Sequence, residues 1–74
     1  MTARGFRAWL LQFRRDESAL GDLARDVLAD PDWPRGPGSL ARFEAHLEDA
    51  GACDEAAGAL REAWARYERA RRTA

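Results

Sequence analysis

Lysine, asparagine and isoleucine do not occur in this 74-residue chain, and cysteine and histidine occur once each, as Cys53 and His46. Each shortage excludes something. A lone cysteine can form no intrachain disulfide, and no Cys/His cluster has the spacing of a metal site. The N-terminal residues hold no apolar run of signal-peptide length, and no stretch approaches the roughly 20 apolar residues of a membrane span. A soluble, cytoplasmic protein with no membrane attachment and no cofactor is expected. The missing residues are those with AT-rich codons, and alanine is abundant, which is the usage of a GC-rich genome. Arginine standing for every lysine therefore says little about a need for planar guanidinium groups. At this length one domain, spanning residues 1–74, lies near the lower limit for a fold held by an apolar core alone.

What the chain does contain is helical periodicity. Phe6, Trp9, Leu10 and Phe13 fall at i, i+3, i+4 and i+7, predicting a helix from about Arg4 to Arg14. Asp16 or Ser18 can cap a second helix carrying Leu20, Leu23, Ala24, Val27 and Leu28, which should stop by Ala29 because Asp30 precedes Pro31. Asp30 to Trp33 reads as a type I turn. Ser39 suits the cap of a third helix with Leu40, Phe43 and Leu47 on its apolar face, and Gly51 suits its left-handed stop. Asp54 is expected to cap a fourth, in which Ala57, Leu60, Trp64 and Tyr67 keep the stripe to near Arg69, with a frayed tail over residues 70–74. Gly58 inside that helix suggests a close backbone neighbour or a local break. No segment alternates with period two. An all-α, compact four-helix single domain follows, with Phe6, Leu10, Phe13, Leu23, Val27, Trp33, Phe43, Leu47, Leu60 and Trp64 as its expected core, since no helix with so few large apolar residues is stable alone.

An ordered set of residues resembles a known family. Phe6, Leu10 and Phe13-Arg14, then Leu23-Ala24, Asp30 with Trp33-Pro34, His46-Leu47-Glu48, Glu62-Ala63-Trp64 and Tyr67-Glu68 look like the YozE-like bacterial proteins, from about Phe6 to Glu68. The resemblance implies a fold like that of the sterile alpha motif, and it implies no activity. Cys53 and Ala57 depart from the family pattern, which has larger residues there, so different packing of the last helix is expected.

Charge is divided along the chain. Residues 1–15 carry Arg4, Arg7, Arg14 and Arg15 and no acid, a net of +4; residues 16–58 carry eleven acids against Arg25, Arg35 and Arg42, a net of −8. Residues 59–74 carry five arginines against Glu62 and Glu68, a net of +3, which brings the whole chain to −1. If the first and last helices are neighbours, Arg4, Arg7, Arg14, Arg15, Arg66 and Arg69 form a basic side, and Asp22, Asp26 and Asp30 form an acidic ridge opposite. Such a molecule can bind a protein partner or associate weakly with itself, one surface docking on the opposite surface of the next copy. The alternative is nucleic-acid binding through the arginines, including Arg71 and Arg72, against which the net charge argues. The plain alternative is a set of solvated helical faces.

No catalytic constellation is visible, and a non-enzymatic protein is expected. The three aspartates of the ridge span about 12 Å, too far to share one metal ion. His46 has no serine or cysteine partner by sequence and reads as a half-buried structural histidine. Cys53 reads as a small core or boundary residue. Trp9, Trp33 and Trp64 could stack nucleic-acid bases if exposed, but in so small a domain they read as core.

Overall fold

A computed structural model describes residues 5–35 and 38–73. The described residues form four helices, α1 (Phe6–Leu11), α2 (Ala19–Ala29), α3 (Leu40–Asp49) and α4 (Asp54–Thr73). The all-α expectation holds, and the helix ends show how local chemistry sets the boundaries. The side chains of Ser18 and Ser39 accept hydrogen bonds from the N–H groups of Gly21 and Arg42, each at 3.2 Å, so these serines are the N-caps of α2 and α3. α2 ends at Asp30, whose extended backbone (φ −93°, ψ 105°) is what the following proline demands. α3 ends in paired bonds from Gly51 N–H to the Glu48 carbonyl (3.0 Å) and from Ala52 N–H to the Leu47 carbonyl (2.9 Å). That closure needs a left-handed residue, and Gly51 supplies φ 75°.

Three boundaries differ from expectation. α1 is α-helical only to Leu11. Beyond it, Phe13 N–H bonds the Leu10 carbonyl (3.0 Å) and Arg14 N–H the Leu11 carbonyl (3.2 Å), an i→i+3 pattern. Each such residue advances about 20° further round the axis than in an α-helix. Phe13 is thereby turned out of the core stripe and ends half-buried. α4 begins one residue earlier in its capping than expected: Ala57 N–H bonds the Cys53 carbonyl (3.2 Å), so Asp54 is the first helical residue rather than the cap. At its other end α4 runs to Thr73 instead of fraying at Arg69, and the Thr73 hydroxyl donates to the carbonyls of Arg69 and Ala70. Gly58 lies in unbroken, exposed helix with nothing near its missing side chain, so neither account of it applies.

The core is a string of rings. Trp33 stacks on Phe43 (4.9 Å, 16°), Phe43 on Phe6 (5.2 Å, 26°), and Phe6 meets Tyr67 edge-on (5.4 Å, 74°). Leu10, Leu23, Ala24, Val27, Ala59, Leu60 and Ala63 fill the remainder. Of the expected core, Phe13, Leu47 and Trp64 are half-buried, whereas Tyr67 is buried with three alanines. The alanines belong there because helices crossing at close range need small side chains at the crossing. Gly21 makes a closer approach still: a Cβ there would run into the backbone carbonyl of Asp16, so the α1–α2 connection can lie on α2 only over a glycine.

Trp33 is a loop residue with only 3% of its surface exposed, and its indole Nε1 is a buried polar atom without a hydrogen-bond partner among the described residues. Trp33→Ala should therefore lower the unfolding free energy by about 3–5 kcal/mol. Trp33→Phe keeps a ring on Phe43 and removes an unsatisfied donor, so it should lose less than half as much. Urea denaturation of both variants checks this, and an alanine variant that melts within a degree or two of wild type would show that the Trp33 stack does not hold the fold.

Candidate functional site

The structure brings the first and last helices together, as the charge argument required. Trp9 lies against Tyr67 (5.5 Å), and the Arg66 guanidinium sits over the Phe13 ring at 5.3 Å. Stacking on Phe13 brings α4 against the residue that precedes Arg14 and Arg15, and Arg69 follows about one turn after Arg66 on α4. Arg7, Arg14, Arg15, Arg66 and Arg69 are all exposed. Arg14 donates to the Leu11 carbonyl (3.0 Å), which satisfies one open end of α1. Arg71 folds back onto Glu68 (3.3 Å) and the Tyr67 ring (5.4 Å). Arg4 lies outside the described residues.

The acidic ridge divides in two. Asp22 and Asp26 face a surface cleft of about 320 Å³ between α2 and the start of α4, together with Glu55 and Cys53. Arg25 enters from the side, pairing with Asp22 and donating to the carbonyls of Arg14 (2.8 Å) and Asp16 (3.0 Å). It thereby ties the α1–α2 connection to α2. Cys53, expected at the core or its boundary, is exposed at the mouth of this cleft because it precedes α4 and lies outside the apolar stripe. Glu55 was not legible as part of the site, since 29 residues of sequence separate it from Asp26 and only the packing of α4 on α2 joins them.

Asp30 serves the fold instead. Its Oδ1 accepts from the Asp32 N–H (2.8 Å), closing the turn that carries Trp33, and its Oδ2 lies 2.7 Å from His46 Nε2. The imidazole edge in turn meets the Trp33 ring (5.3 Å, 82°). One carboxylate thus links the end of α2, the turn and α3. The expectation of a half-buried structural His46 holds, and Asp30 of the acidic ridge has one oxygen held by the backbone and the other by the imidazole.

These surfaces define a small helical domain with a basic end, an acidic cleft and an aromatic core, and with no helix among the described residues long and apolar enough to cross a membrane. The chain belongs to the YozE SAM-like fold family, whose model matches residues 5–69. No match is found among curated proteins or among solved structures.

The hydrogen bonds from His46 and from the Asp32 N–H hold the Asp30 carboxyl below its ordinary pKa of 3.8. A carboxyl depressed in the folded state contributes stability above its unfolded pKa of about 3.9 and loses it as pH falls through the folded value. Asp30→Asn keeps the acceptor for the turn and removes the charge. It should melt below wild type at neutral pH, and the gap should close as the solution is acidified below about pH 4. A gap of constant size from neutral pH to strong acid in thermal melts would show that the charge of Asp30 contributes nothing.

Proposed function

We propose that this chain is a non-enzymatic, cytoplasmic interaction module that binds protein, a second copy of itself or a partner, by setting its basic α1–α4 end against an acidic surface. The observation that carries this reading is the separation of the two charged surfaces along one rigid helix. Glu55 lies in the first turn of α4 and Arg69 near its end. Fourteen residues at 1.5 Å each hold them about 21 Å apart. That is some two Debye lengths at 0.1 M salt, so Glu55 and Arg69 attract each other little within one molecule and are available to groups of opposite sign on another. His46 is held by Asp30 and meets the Trp33 ring edge-on, a part in the fold that needs no catalytic role.

Concentrated protein should sediment as a heavier species at low salt than at high salt. Asp22→Arg with Asp26→Arg should abolish the effect. Mixing that variant with one carrying Arg15→Glu and Arg69→Glu should partly restore it, because opposite signs again face each other. A strictly monomeric species at millimolar concentration and low salt would remove self-association.

Nucleic-acid binding is the second reading, favoured by the stacking of Arg66 on Phe13, the residue that precedes the exposed Arg14 and Arg15. A net charge of −1 opposes it, since phosphate contacts by one end would draw the acidic cleft toward the same polyanion. Mobility-shift assays with random duplex and single strands should show no complex at tens of micromolar protein in low salt. A complex whose affinity falls steeply between about 50 and 200 mM salt would replace the protein-binding reading.

A further inference from the structure

We propose that the pocket between α2, the turn at Trp33 and the end of α3 binds a small apolar amine that also carries a neutral hydrogen-bond acceptor, the chemistry of an amino-acid amide or an amino alcohol. Such a site stands whether or not the charged surfaces dock on anything. The pocket has a volume of about 160 Å³, and Leu23, Val27 and Leu47 with three alanines give it an apolar wall. Asp26 and Asp30 belong to the same lining, and no cationic side chain among the described residues does. Sites for drug-sized ligands begin at roughly 300 Å³, so this space suits a compact molecule and not a length of chain.

Trp33 supplies the observation that points to a ligand. It lines the pocket while almost wholly buried, and its indole Nε1 is a donor without a hydrogen-bond partner among the described residues. Phe43 covers one face of the ring and His46 meets it edge-on, and neither takes the indole proton. A buried donor left unpaired forfeits its hydrogen bond to water, so an acceptor brought to it from outside recovers that loss as binding. Charge sets the other end of the ligand. Asp26 makes no ion pair among the described residues, and Asp30 follows one turn later on α2. Like charges at this spacing repel, and an ammonium group between them relieves the repulsion. Asp30 holds His46 and the Asp32 N–H, yet each of its oxygens keeps a second lone pair for such a cation. The same two carboxylates repel a ligand anion, so the acceptor for Nε1 must be neutral, an amide carbonyl or a hydroxyl. The apolar wall takes the hydrocarbon body between the two polar ends.

The test is a titration of isotope-labelled wild-type protein with leucinamide at about pH 6.5, where an α-amine is protonated, followed by proton–nitrogen correlation spectra. Each of the three tryptophans gives one indole N–H resonance, and Trp33→Phe identifies that of Trp33 by its loss. The Trp33 resonance should move and saturate with a Kd of about 1 mM, in keeping with so few ligand atoms. Those of Trp9 and Trp64, which lie outside the pocket, should stay in place. Isocaproamide has the same hydrocarbon and carbonyl without the amine, and leucine has a carboxylate in place of the amide; each should bind at least about tenfold more weakly. Asp26→Asn should weaken leucinamide by a similar factor, and because Asp26 is exposed this variant leaves the core alone. Ala56→Leu should fill the pocket and abolish the shift, with circular dichroism to verify that the variant is helical. No saturable movement of the Trp33 resonance up to about 50 mM leucinamide, far above the expected Kd, would overturn the proposal. So would a response that isocaproamide reproduces or that Asp26→Asn leaves unchanged.

Discussion

The seating of Trp33 on Phe43 is the contact on which the other parts of this domain depend. The indole comes from a loop, so it can lie flat on α3 only if the chain leaving α2 turns sharply and stays turned. Asp30 provides that turn: the proline after it ends the helix, its Oδ1 takes the Asp32 N–H, and its Oδ2 reaches His46 on α3. From Phe43 the stack continues through Phe6 to Tyr67, which joins α3, α1 and α4. A domain of this size has few other large apolar contacts to substitute if one link is lost. The buried Nε1 of Trp33 works against the arrangement, and the ring area buried must exceed the loss of its hydrogen bond to water.

The same packing decides where charge sits. α1 lies across the C-terminal half of α4, so Arg66 of α4 stacks on Phe13 just before Arg14 and Arg15 in the chain. α2 lies against the N-terminal half of α4, so Asp22 and Asp26 meet Glu55. α4 thus acts as a ruler between the basic and acidic surfaces. Exposed ion pairs such as Arg61–Glu44 and Arg71–Glu68 contribute little stability on such a small domain, typically under about 1 kcal/mol each. The larger consequence of the charges is the field they present to other molecules.

Sequence periodicity identified the four helices of the described residues, because apolar residues at helical spacing must be buried by something and those residues contain no other element to do it. Capping serines, the proline after Asp30 and Gly51 marked boundaries correctly wherever one residue's backbone preference decides the matter. Reading failed where the decision was collective. Phe13 has helical spacing, yet the turn toward α2 tightens the chain and rotates it outward. Tyr67 looked like one member of a stripe and proved more buried than Trp64 on the same helix, because α1 crosses over it. The helical arm beyond Arg69 looked like a fraying tail, since nothing apolar follows Tyr67.

The amino-acid sequence alone determined the helical class, the sharp turn at Asp30 and the segregation of charge into blocks, since each follows from neighbours within a few residues. Only the tertiary structure decided that Asp30 meets His46, that Glu55 joins Asp22 and Asp26 at one cleft, and that Cys53 faces solvent there. These are meetings of side chains that lie 16 to some 30 residues apart in the chain, and their distances depend on helix crossings that no local preference specifies.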